Sequence, residues 1–228
     1  MSKPIKVTDR NKPWNKRKVK RQPYQIEIQL PEKTFLIICE GVNTEPEYFK
    51  SFPVKTAVVE SYGLGSTKTT LVNYAIKTIV EQNDPDTENW VVFDMDVQLG
   101  NEVAQREDYE NAIQLAESKG IKAAYSNDAF ELWFLLHYQY FDNEWTRHQY
   151  YQKLSELWDC NYEKLGKQLK FCKNIYQKLM DDPKADQKQA IERAKKLFLA
   201  QKERRIADKN PITLIHVLVK SLNQHIEI

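Results

Sequence analysis

Phe35-Leu36-Ile37-Ile38-Cys39-Glu40-Gly41 is the stretch on which the fold turns. Five apolar residues in succession, closed by an acid and a glycine, do not alternate as a half-exposed strand would. They suit a strand covered on both faces, as in a parallel sheet. Trp90-Val91-Val92-Phe93 repeats the pattern and ends in Asp94-Met95-Asp96, while Ala57-Val58-Val59 and Ile121-Lys122-Ala123-Ala124-Tyr125 supply two shorter strands. Helical spacing lies between them. Thr44-Glu45-Pro46-Glu47 reads as a helix start, with Thr44 as cap and a glutamate three residues on, followed by Tyr48, Phe49 and Phe52. A second helix, about Lys68 to Gln82, buries Leu71, Ala75 and Ile79, and a third covers roughly Arg106 to Lys119. Ser126-Asn127-Asp128 then opens an apolar helix from Phe130 to Tyr140, with Asp128 and Glu131 spaced as a capping box. Strands alternating with helices predict βαβ units and a parallel sheet.

Beyond Asp142 the strand signal stops. Three or four helices are predicted, over Arg147–Trp158, Tyr162–Met180, Ala185–Ala207 and Ile212–His225. Residues 1–24 hold nine of the chain's 34 basic residues, one acid (Asp9) and no apolar period, and read as a flexible basic arm. The organisation expected is therefore an arm (1–24), an α/β core (25–141) and a helical region packed on it (142–228). In the arm Lys16, Arg17, Lys18, Lys20 and Arg21 are candidate contacts to a nucleic-acid backbone, with Trp14 and Tyr24 available to stack on bases; a solvated tail is the alternative. Cys39, Cys160 and Cys172 form no CxxC pair, which speaks against a zinc knuckle or a thioredoxin motif. No apolar run is long enough to span a bilayer and no signal peptide is visible, so a reduced, cytoplasmic protein with no membrane partner is expected.

The chemistry is expected at the carboxyl ends of the strands, where open parallel sheets bind ligands. Glu40 follows the first strand; Asp94 and Asp96 follow the third. Carboxylates brought together repel and raise one another's pKa unless a cation shares them. Hard oxygen donors are what Mg²⁺ takes, commonly completed by substrate phosphate. The bland alternative is that these acids are solvated strand ends or turn caps. Glu131 interrupts an apolar helix start and needs a partner, a proton or a metal if buried. His137 reads as a core or surface histidine. The loop Gly63-Leu64-Gly65-Ser66-Thr67-Lys68 fails the P-loop spacing, although backbone amides at the next helix could still hold a phosphate.

Four blocks in order resemble the RloB family: Phe35 to Gly41 with Thr44-Glu45-Pro46-x-Tyr48-Phe49; Val92-Phe93-Asp94-x-Asp96; Ser126-Asn127-x-x-Phe130-Glu131-Leu132-Trp133-x-Leu135-Leu136-His137; and Asn210-Pro211-x-Thr213. The resemblance implies a TOPRIM-like α/β core with helices on both faces, followed by a helical region. It implies that Glu40, Asp94 and Asp96 bind Mg²⁺, with Mn²⁺ able to substitute. It also implies a role in bacterial anti-phage defence (abortive infection) beside an ATPase partner. Met95 stands where a basic residue is expected, and Asp128 where a proline is.

The function that follows is a Mg²⁺-dependent nuclease on DNA or RNA, tRNA included. Glu40 would be ligand or general base, Asp94 and Asp96 ligands, and Glu131 a supporting or orienting acid. The alternative is a non-catalytic nucleic-acid- or protein-binding sensor that regulates the ATPase; a small-molecule phosphoesterase is the third reading. Self-association is left open.

Overall fold

The computed structural model describes residues 33–61, 67–97 and 100–226. The basic arm, its proposed nucleic-acid contacts (Lys16, Arg17, Lys18, Lys20, Arg21) and the Gly63–Ser66 part of the glycine loop lie outside these residues.

Four strands run parallel: β1 (Phe35–Cys39), β2 (Ala57–Ser61), β3 (Glu88–Asp94) and β4 (Lys122–Asn127). A two-residue strand, β5 (Ile212–Thr213), pairs antiparallel with β4, giving the order β2-β1-β3-β4-β5. The α/β class and the parallel core are as expected. β5 corrects the reading of an all-helical C-terminal region. It is too short to carry a period of its own, and Ile212 and Thr213 were absorbed into the periodicity of the helix that follows.

Successive residues of β1 enter opposite layers, as strand geometry requires. Phe35, Ile37 and Cys39 join one apolar cluster with Tyr48, Phe49, Trp133 and Leu218; Leu36 and Ile38 join another with Leu71, Val91, Tyr109 and Ile113. Helices α1 (Thr44–Lys50) and α4 (Glu131–Leu136) belong to the first layer, and α2 (Lys68–Gln82) and α3 (Glu102–Ser118) to the second. The first layer also takes in Tyr150 and Leu154 from α5 (Arg147–Trp158), Tyr162 from α6 (Tyr162–Leu165), Cys172 from α7 (Leu169–Cys172) and Leu179 from α8 (Ile175–Asp181). Leu197 of α9 (Gln187–Ala200) and Leu222 of α10 (Ile215–Asn223) complete it. The single long helix expected over Tyr162–Met180 is thus three short ones, broken at Gly166 and at Lys173–Asn174. The fourth helix is likewise shorter than expected, stopping at Leu136 rather than Tyr140.

Two expected capping boxes are not formed. Thr44 does not cap α1: its hydroxyl donates to the Gly166 carbonyl at 3.1 Å. Asp128 does not cap α4; its carboxylate accepts the Arg147 amide at 3.0 Å, at the start of α5. Tertiary partners outcompeted the local ones. His137 is a core histidine whose Nδ1 lies 2.9 Å from the Trp133 carbonyl. The three cysteines are free, and no described helix is long and apolar enough to cross a membrane.

Candidate functional site

β1 and β3 are neighbours in register, so the chain leaves both strands at one edge of the sheet. Glu40 extends β1: its amide still donates to the Val92 carbonyl at 2.8 Å. Its carboxylate is therefore delivered beside the end of β3, where Oε2 lies 3.4 Å from the Asp94 amide. Asp94 is the last residue of β3 and is buried; Met95 turns into the second apolar layer. Asp96 lies past the strand with φ 48°, in the left-handed region. Strand alternation therefore does not orient Asp96. A shared partner brings Asp94 and Asp96 together instead: Arg147, with Nη2 3.5 Å from Asp94 Oδ2 and Nη1 3.1 Å from Asp96 Oδ2. The charge expected in place of Met95 comes from a distant helix.

These side chains line a cleft of about 350 Å³ with Gly41, Val42, Asn43, Thr44, Glu45 and Lys167. Glu45, in the first turn of α1, is buried and packs over Gly41. A Cβ on residue 41 would stand 2.6 Å from the Glu45 Cδ, so a larger residue there would require the Glu45 carboxylate to move. Lys167 is set by its backbone. The Asn43 side-chain amide donates to the Lys167 carbonyl at 2.8 Å, and Thr44 and the Cys172 thiol both donate to the preceding Gly166 carbonyl. A Cβ on Gly166 would meet the Tyr162 ring at 2.6 Å. Behind the cleft, Glu131 accepts from the Tyr162 hydroxyl at 3.0 Å and pairs with Lys167 at 3.5 Å, so this buried acid has the partners its position demands. Lys68, the first residue of α2, pairs with Glu40 at 2.8 Å. Its place is fixed by Asp108, which accepts the Lys68 and Thr69 amides at 2.6 and 3.2 Å.

The electrostatics are those of crowded acids. Burial, then the Glu45 carboxylate, push the Asp94 pKa well up, against the opposing pull of Arg147 and the Phe130 amide. Burial also raises Glu45; Lys167 opposes it, and Glu131 and Glu40 add to it. Burial works against the charges of Arg147 and Lys167, yet the surrounding carboxylates hold both pKa values above their usual range.

Among the described residues no three His, Cys, Asp or Glu side chains form a ready-made metal cage. The acids are tied to cations: Glu40 to Lys68, Asp94 and Asp96 to Arg147, Glu131 to Lys167. A divalent cation nonetheless fits the donor set in kind. Five carboxyl groups, Glu40, Glu45, Asp94, Asp96 and Glu131, stand against three cations, Lys68, Arg147 and Lys167. Among the described residues the buried Oδ1 of Asp94 has no hydrogen-bond partner, an unsatisfied lone pair in a site of low dielectric.

Sequence reasoning missed Arg147, Glu45, Lys167 and Lys68. Arg147 did carry a signal: a cation at the first residue of a helix opposes the helix dipole and calls for a reason. Glu45 could be read only as an acid in a first helical turn, which is commonplace.

A mostly parallel sheet flanked by helices, with a charged cleft where β1 and β3 end, defines a mixed α/β protein. Within that class the chain belongs to the RloB-like protein family, whose family model matches residues 35–222. No curated protein matches the chain.

Proposed function

We propose that this protein is a Mg²⁺-dependent nuclease, cleaving phosphodiester bonds of DNA or RNA, with Mn²⁺ able to replace Mg²⁺. The observation that carries the reading is the buried, unpartnered Oδ1 of Asp94 in a cleft where Glu40, Glu45 and Asp96 add further hard oxygen donors. Asp94, Asp96 and Glu40 would hold the cation, which when bound polarises a phosphoryl oxygen and lowers the pKa of attacking water. Glu45, close by and with a raised pKa, is suited to receive or return a proton. Glu131 keeps Lys167 at the cleft wall, where the ammonium favours an incoming phosphate. The TOPRIM-like arrangement implied by the family resemblance supports the same assignment. It extends the proposal to anti-phage defence beside an ATPase partner.

A second reading rests on the ion pairs. Arg147 and Lys68 already answer the acids without a metal, as suits a non-catalytic module that binds nucleic acid or protein and regulates its partner. Incubating the purified chain with DNA, RNA and tRNA in Mg²⁺ or Mn²⁺, alone and with the partner, separates the two. Cleavage that falls at least about 100-fold in Asp94→Asn and Glu40→Gln, with fold retained, supports the enzyme. Cleavage unchanged in both variants contradicts the site; no wild-type cleavage under any of these conditions favours the sensor.

A further inference from the structure

Three cations stand at the cleft. Lys68 sits 2.8 Å from Glu40, and Lys167 pairs with Glu131 at 3.5 Å while lying over the Tyr151 ring at 5.8 Å. Arg147 divides its guanidinium between two carboxylates. Its Nη1 and Nη2 reach Asp96 and Asp94 at 3.1 and 3.5 Å, one nitrogen to each carboxylate, and its Nε is buried with no hydrogen-bond partner among the described residues. A guanidinium grips a carboxylate or phosphate best through two parallel N–H bonds, and neither aspartate receives that grip. Nor does Arg147 satisfy Asp94, whose Oδ1 is left without a partner. The backbone is anchored through the Asp128 carboxylate at 3.0 Å, so the side chain can turn without moving the helix.

We propose that Arg147 exchanges partners: without a divalent cation it neutralises Asp94 and Asp96, and when a cation takes those aspartates its guanidinium turns to the phosphate of a nucleic-acid substrate in the same cleft. The proposal rests on the metal-dependent reading above and adds the residue that binds the phosphate. A metal and a guanidinium drawn to the same two carboxylates each weaken the other's hold, so they compete; the released fork then has the geometry that phosphate requires.

The test uses the full chain, with Mn²⁺ binding followed by electron paramagnetic resonance and binding of a phosphorothioate-linked oligonucleotide followed by fluorescence anisotropy. Arg147→Gln is expected to bind Mn²⁺ about tenfold tighter than wild type, and at saturating Mn²⁺ to bind the oligonucleotide about tenfold more weakly. Arg147→Lys, which keeps the charge and loses the fork, is expected between the two for Mn²⁺ and weak for the oligonucleotide; it serves if Arg147→Gln does not fold. Lys167→Gln is expected to change Mn²⁺ affinity less than Arg147→Gln. Unchanged or weaker Mn²⁺ binding in folded Arg147→Gln overturns the proposal, as does tighter Mn²⁺ binding with oligonucleotide affinity unaltered. If wild type binds Mn²⁺ and cleaves while Arg147→Gln behaves identically, this inference alone falls. If neither protein binds Mn²⁺, the nuclease reading falls with it.

Discussion

Asp94 does two things with its two oxygens. Oδ2 accepts the Phe130 amide at 3.0 Å and meets Arg147, while Oδ1 faces no hydrogen-bond partner. Asparagine keeps a carbonyl oxygen for the Phe130 amide and loses the charge, so Asp94→Asn separates the structural role from the chemical one. Asp94→Ala is expected to be about 1 kcal/mol less stable than Asp94→Asn by urea unfolding, because the amide at the start of α4 loses its acceptor. Both should lose cleavage. The raised pKa of Asp94 also fixes a sign. The folded state holds its proton more tightly than the unfolded chain. In metal-free protein stability therefore rises as pH falls through the raised folded pKa and levels off below the unfolded value of about 3.9. His137 runs the other way. Burial pushes its pKa down to about 4, with the Trp133 carbonyl opposing, so the unfolded chain binds the proton first. Its contribution is complete above about pH 6.5 and is lost towards pH 4, up to about 3 kcal/mol. Unfolding midpoints measured from pH 7 to 4 should fall less steeply in His137→Gln than in wild type; equal slopes would contradict the assignment.

Elements are tied to one another here by aspartates that cap helices from a distance. Asp94 serves α4, Asp128 serves α5 and Asp108 serves α2. Each fixes a helix start that presents a site residue: Glu131, Arg147 and Lys68 respectively. Asp108→Ala, which strips two backbone amides of their acceptor, is expected to cost up to about 2 kcal/mol and to weaken the Lys68–Glu40 pair. Thermal unfolding checks the first. The second should appear as a cleavage deficit that Asp108→Asn partly restores. The short strand β5 is held similarly, with Thr213 Oγ1 3.0 Å from Ser126 Oγ and the Asn127 side-chain amide donating to the Lys209 carbonyl at 2.9 Å. Thr213→Val should cost roughly 1–3 kcal/mol by leaving Ser126 buried without that partner. The same long-range bonds explain what was legible in the sequence. β1, β3 and the span of α2 could be read because burial on both strand faces and helical period are local patterns. The placement of Glu40, Asp94 and Asp96 at one edge of the sheet could be read because their strands end there. The capping roles of Asp94, Asp108 and Asp128 join residues 19 to 40 positions apart, and no local spacing rule reports them.

Taken whole, the molecule has one large apolar layer that draws on both the sheet and the C-terminal helices: Ile37, Tyr48, Trp133, Leu154, Leu179 and Leu218 belong to the same cluster. That layer also brings α5 and the Gly166–Lys167 turn against the carboxyl edge of the sheet, so two of the three cations at the cleft, Arg147 and Lys167, come from the half that carries no parallel strand. A fragment of residues 33–141 is accordingly expected to fail to fold. The full chain should unfold in a single transition by circular dichroism and tryptophan fluorescence, and separate midpoints for the two probes would contradict this. The most direct test of the central claim is anomalous scattering from crystals soaked in Mn²⁺. The account predicts a peak at coordination distance, about 2.2 Å, from an Asp94 oxygen, with Arg147 turned away from the aspartates. No peak at saturating Mn²⁺, with Arg147 still bridging Asp94 and Asp96, would contradict it.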